Sequence, residues 1–131
     1  MAKHDRPTIV DTEAGLEHLS RGTTRHVDCM LIVIEPYFKS LETGARIQEL
    51  TRELGIGQIY GVANKIRGSE DEEAIHAFCK KRNVELLSFI PYDESLIEAD
   101  RIGLAPIDYD ANGIAVQSIG NMLEKLINLN R

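Results

Sequence analysis

The chain has 131 residues, of which 43% are hydrophobic, a size and composition that predict one domain over 1–131 with a modest core of its own. Its 15 basic and 21 acidic residues give a net charge of −6, which argues against nucleic acid or an anionic membrane as a partner. The sequence shows no secretory h-region and no apolar run long enough to cross a bilayer, so a cytoplasmic location is expected.

Pro7-Thr8-Ile9-Val10 is short and β-branched and reads as a first strand, ended by Asp11-Thr12-Glu13-Ala14-Gly15. Met30 to Ile34 is continuously apolar, as a buried parallel strand is, and Glu35-Pro36 stops it. Leu41 to Leu54 carries Ile47, Leu50 and Leu54 and is closed by Gly55, which predicts an amphipathic helix. Ile59 to Ala63 reads as a third strand. Asp71 to Lys81 follows as a helix with Ile75, Phe78 and Cys79 on its inner face, behind a Ser69-x-x-Glu72 capping box. Glu85 to Ile90 is the fourth strand, stopped by Pro91. Ile119, Met122, Leu123, Leu126 and Ile127 make a stripe in a final helix running from about Ile114 to the end, which should pack on a sheet face. Cys29 and Cys79 lie fifty residues apart in apolar settings, so both are expected to be buried free thiols rather than a disulfide or a CxxC site.

Strands alternating with helices predict an α/β fold, a parallel sheet with helices on both faces joined by right-handed crossovers. Ligands of such sheets sit outside the carboxyl ends of the strands, and the chemically suggestive residues all fall there. An aspartate such as Asp11 at a strand end can hold a magnesium-bound water, and a glycine such as Gly15 lets a backbone N–H approach a γ-phosphate. The same pair also makes an ordinary turn and N-cap. Asn64 offers a carboxamide that can pair with the N6 and N7 edge of adenine, and the stem of Lys65 can cover a ring, although an Asn-Lys pair is also common in turns. Pro91 fixes the following backbone so that Tyr92 and Asp93 can flank a purine. The other reading of that stretch is a helix N-cap at Asp93, or at Ser95 with Glu98 completing a box. None of the ten glycines lies in a Gly-rich run with Lys and Ser/Thr, so the sequence contains no loop able to wrap phosphates with backbone N–H groups.

The order of these pieces carries a resemblance. Asp11-Thr12-Glu13-Ala14-Gly15-Leu16-Glu17-His18-Leu19-Ser20-Arg21-Gly22-Thr23, then Ile34-Glu35-Pro36, Ser40-Leu41-Glu42-Thr43-Gly44, Asn64-Lys65 and Phe89-Ile90-Pro91-Tyr92-Asp93 resemble the C-terminal half of the CooC-type maturation ATPases of carbon monoxide dehydrogenase. These are relatives of MinD, ParA and the nitrogenase iron protein among P-loop ATPases. The stretch from Glu13 to Thr23 is the specific part. The resemblance implies a partial P-loop fold in which Asp11 is the Walker B aspartate, holding magnesium through water if nucleotide binds, and Gly15 is the switch II glycine. It implies that Asn64, with Lys65, reads the adenine, that Pro91 and Tyr92 form the wall beside the base, and that ATP or ADP with magnesium is the family's ligand.

The family also carries a Walker A loop and a paired-cysteine motif, and this sequence has neither. Without the phosphate cradle, no intrinsic ATPase activity is expected, and nucleotide should bind weakly or not at all, on the order of millimolar or worse. In the family's sheet the phosphate-loop strand lies between the Walker B strand and the strand after it. Thr8 to Asp11 and Met30 to Ile34 should therefore either close on each other or recruit a strand from a second copy or a complementary N-terminal half. Three functions follow. One is a CooC-like accessory role in nickel insertion into a metalloenzyme client. Another is a non-enzymatic protein-interaction domain acting through the switch II surface, Gly15 to His26. The third is a small metal-binding module built from Glu17, His18, His26 and Asp28.

Overall fold

The computed structural model describes residues 6–12 and 27–129. In chain order these form β1 (Cys29–Ile34), α1 (Phe38–Glu53), β2 (Gln58–Ile66), α2 (Ser69–Arg82), β3 (Glu85–Pro91), α3 (Glu94–Arg101), α4 (Pro106–Tyr109) and α5 (Ile114–Leu129). The strands make a sheet in the order β1-β2-β3 with both pairings parallel. Met30 faces Ile59 and Ile34 faces Ala63 across the first pair, while Tyr60 faces Glu85 and Ile66 faces Pro91 across the second.

The two-residue period of the strands divides the core. Ile32, Ile34, Ala63 and Ile66 point to one face, where they meet Ile75 and Cys79 of α2, with Leu41 and Ile47 of α1 packed alongside. Tyr60, Val62, Leu87 and Ile90 point to the other, where Ala115, Met122 and Leu126 of α5 and Leu96 of α3 cover them. α1 lies so close to β1 that a Cβ on Gly44 would stand 2.6 Å from Cγ2 of Ile34. At their far ends α1 and α2 are tied by buried Gln48, whose Nε2 donates to the Arg82 carbonyl at 2.7 Å. Arg82 itself pairs with Glu49 at 2.9 Å.

Three local expectations differ from the structure. Pro7 to Val10 is not in a strand: Ile9 is 83% and Val10 66% exposed, and among the described residues no strand lies beside them. A solitary extended segment has no ladder in which to place its backbone groups, so the sequence pattern alone does not make it a strand. It does not close on β1 either, and β1 has β2 as its one paired neighbour among the described residues. Second, Ser69 does not cap α2. Gly68 is the N-cap, with no side-chain cap bond, and the carboxylate of Asp71 instead accepts the Arg67 N–H at 2.8 Å. Glu70, Asp71 and Glu72 in the first turn still complement the helix dipole. Third, Cys79 is buried but Cys29 only partly so; both are free thiols, pushed above their ordinary pKa mainly by burial.

Candidate functional site: the carboxyl edge of the sheet

The sheet's carboxyl end brings together three short stretches, Glu35-Pro36 after β1, Asn64 to Arg67 at the end of β2, and Pro91 to Asp93 at the end of β3. The first two are joined through Lys65. Its backbone is left-handed, with φ +56°, a conformation that costs a non-glycine residue energy and persists where the surroundings enforce it. Its amine meets Oε1 of Glu35 at 2.8 Å. The hydrogen bond to Glu35 and then the charge of Glu35 raise the Lys65 amine above its ordinary pKa. Glu35 is itself anchored, since its N–H donates to Oγ of Ser40 in α1 at 2.8 Å. Asn64 stands next to this pair, half-buried, in the strand position following Ala63.

The second and third stretches are joined through Tyr92. Ile66 lies opposite Pro91 in the sheet, and the Tyr92 N–H continues the ladder by donating to the Ile66 carbonyl at 2.9 Å. The Arg67 guanidinium carbon sits 3.9 Å from the centre of the Tyr92 ring, a cation–π contact.

Asp93 fixes what lies behind. Its Oδ1 accepts the Ser95 N–H at 3.0 Å and the Ser95 hydroxyl at 2.7 Å, and its Oδ2 accepts the Ala115 N–H at 3.2 Å. One carboxylate therefore caps α3 and holds the first turn of α5. The hydrogen bond from the Ser95 hydroxyl, followed by those from the backbone N–H groups, holds this carboxyl below its ordinary pKa. Of the two cap readings open in the sequence the structure has Asp93. Glu98 completes no box and instead accepts the Tyr109 hydroxyl at 2.7 Å.

Asn64, Lys65, Pro91 and Tyr92 thus occupy adjacent strand ends, as their order in the sequence predicts. The arrangement offers a carboxamide, backbone polar groups beside a proline and a stacked aromatic. Those groups fit the edge and face of a heterocyclic base, and they include no nucleophile paired with a general base. The phosphate and magnesium end is different. Asp11 is exposed, and no described side chain pairs with it. Gly15, Glu17, His18 and His26 lie outside the described residues. Among the described residues no group of three or more His, Cys, Asp or Glu side chains is placed to hold a metal ion. The described residues do not themselves form a magnesium site. Arg67 is the member to which the sequence did not point, while Asp93, expected either beside a purine or at a helix cap, is the cap of α3. The cap reading signalled Asp93, whereas the Arg67 contact depends on how the two strand ends meet. Two open hollows, of about 370 and 620 Å³, lie elsewhere. One runs along β3 and α5 and the other at the amino ends of β2 and β3, and neither lining has a nucleophile or metal-ligand set.

No protein-family model matches the chain. It is 41% identical over 128 residues to an uncharacterized ATP-binding protein of Methanocaldococcus jannaschii, covering 96% of this chain and 49% of that protein. It is 40% identical over 108 residues to the carbon monoxide dehydrogenase accessory protein CooC of Rhodospirillum rubrum, covering 82% of this chain and 40% of that protein. In fold it is similar to the septum site-determining protein MinD of Pyrococcus horikoshii, solved with Mg-ADP, with a TM-score of 0.65 at 20% identity over 79% of this chain and 42% of that one. The chain spans half or less of the length of these relatives. No helix among the described residues is long and apolar enough to cross a membrane. The chain is a homologue of the CooC-type ATP-binding proteins and has the parallel α/β fold of the MinD-like P-loop ATPases.

Proposed function

We propose that this chain is the base-binding portion of a CooC-like, nucleotide-dependent accessory protein that serves nickel insertion into carbon monoxide dehydrogenase. The observation that carries the reading is the meeting of Asn64-Lys65 with Pro91-Tyr92 at adjacent carboxyl strand ends, where open α/β sheets bind ligands. The CooC likeness, 40% identity over 82% of the chain, supports the client, and the ATP-binding relative supports the nucleotide. In this reading Asn64 reads the adenine, Lys65 covers it, and Pro91 and Tyr92 form the wall. Asp11 and Gly15 meet magnesium and γ-phosphate when a phosphate loop, on the same polypeptide or a separate one, is in place.

Phosphoryl transfer depends on positioning and charge neutralisation by that loop, so the 131-residue chain alone hydrolyses no ATP. The natural occupant of the outer edge of β1 is the strand that leads into the phosphate loop, and without it the chain self-associates there. Val33, 59% exposed on β1, also favours a second reading, a protein-interaction domain whose partner covers this side together with Gly15 to His26.

The test is complementation. This chain is combined with a phosphate-loop segment from a CooC-type protein, and ATP hydrolysis and nickel-dependent activation of carbon monoxide dehydrogenase are measured. The proposal expects both activities from the pair and neither from the parts. A stable pair without hydrolysis or activation would favour the interaction domain instead.

A further inference from the structure

We propose that Arg67 is the stacking surface of the base site, its guanidinium carried on the ring of Tyr92 and its outer face turned to the adenine. The inference rests on the base-site reading above and adds a residue to it. Arg67 is exposed, yet in a chain with 21 acidic residues its side chain makes no ion pair or hydrogen bond among the described residues; its one described contact is with the Tyr92 ring, at 3.9 Å. An exposed arginine that keeps to an aromatic face, with its N–H donors left for a ligand or water, has the chemistry of a base-stacking platform, because the planar guanidinium packs on π surfaces as an ammonium does not.

Both partners are held from behind. The Arg67 backbone N–H is bonded to Asp71 at 2.8 Å and the Tyr92 N–H to the Ile66 carbonyl at 2.9 Å. Asp93, the next residue, is tied into two helices. A base arriving at Asn64 would therefore meet a pair that is already ordered, so less side-chain entropy is lost on binding. The division of labour is that Arg67 supplies affinity through stacking and Asn64 supplies selectivity through its carboxamide. In this reading Arg67 contacts the ligand, and Tyr92, part of the wall beside the base, also holds the guanidinium in place.

The probe is adenosine, which has no phosphates and so reports the base site whether or not a phosphate loop is present. Amide chemical shifts of the chain are followed during titration with adenosine, with ribose 5-phosphate as the control that lacks a base. Wild type is expected to shift at Asn64, Lys65, Arg67 and Tyr92 with adenosine alone. Arg67→Ala should bind adenosine about two- to fivefold more weakly, from the strength of an exposed cation–π contact. Arg67→Lys should be weakened as well. The urea midpoint of Arg67→Ala should equal that of wild type, which separates stacking from a structural role. If wild type binds at these amides and Arg67→Ala and Arg67→Lys bind equally well, the Arg67 inference is overturned and the base site stands. If wild type shows no shift with adenosine, the base site itself fails, and this inference with it.

Discussion

Replacing Asp93 by alanine removes hydrogen bonds from two helices at once, and the cost can be worked from the contacts. Loss of the N-cap bond to Ser95 at 3.0 Å costs about 1 kcal/mol, within the usual range of roughly 0.5–2 for such a cap. Loss of the charge-assisted bond to the Ala115 N–H at 3.2 Å leaves the first turn of α5 without that acceptor and adds about 1 kcal/mol. The expected total is about 2 kcal/mol, a large share of the roughly 5–15 kcal/mol that holds a small domain together. Asparagine, which keeps one acceptor oxygen, should lose about half as much.

The assay is urea unfolding followed by circular dichroism, at pH 7 and then at falling pH. The carboxyl of Asp93 lies below its ordinary value of 3.8 in the folded chain. Its contribution is therefore fully present above that value and is lost as the pH falls through the lower, folded-state one. The gap between wild type and Asp93→Ala should stay constant from about pH 7 to pH 5 and narrow below about pH 4. A loss under about 0.5 kcal/mol at pH 7, or a gap that persists undiminished in acid, would refute this account of the residue.

Other consequences are as definite. Gly44→Val places atoms where a Cβ would already stand 2.6 Å from Cγ2 of buried Ile34, so thermal unfolding should show a loss of about 1–3 kcal/mol; an unchanged midpoint would mean that α1 does not approach β1 so closely. Gln48→Ala removes the donor to the Arg82 carbonyl at 2.7 Å and empties space around a residue that is 2% exposed, which should cost about 1–3 kcal/mol in denaturant unfolding. Val33→Lys should change folding stability by less than about 0.5 kcal/mol, because the side chain is 59% exposed. It should also reduce self-association in sedimentation experiments, since a lysine on an open edge discourages strand pairing.

Much of the architecture was legible because the sheet is internal and parallel. Met30 to Ile34, Ile59 to Ala63 and Glu85 to Ile90 read as largely apolar runs because most of their side chains lie against helices on the two faces, and each became a strand with one to four residues added at its ends. The helices Phe38–Glu53, Ser69–Arg82 and Ile114–Leu129 followed from their apolar faces and from Gly55, whose φ of +82° suits the chain reversal after α1. Pro7 to Val10 shows the limit of a local pattern: β-branched residues make a strand only when a neighbour accepts their backbone hydrogen bonds. α3 and α4, at eight and four residues, are too short for a periodic signal, and only the Asp93 cap announced the first of them. At the site, the order of Asn64, Lys65, Pro91 and Tyr92 was readable because strand ends collect at one edge of a parallel sheet. The tie between Lys65 and Glu35 and the packing of Arg67 on Tyr92 join residues 25 to 30 positions apart, and no local pattern encodes them.

The account turns on the claim that a base site without a phosphate loop cannot hold nucleotide tightly. Calorimetric titration of the 131-residue chain with Mg-ADP and Mg-ATP tests it directly. A dissociation constant of about a millimolar or weaker, or no measurable heat, is the predicted result. A dissociation constant in the micromolar range would contradict it, because the phosphates would then be held by residues of this chain that the account does not assign to them.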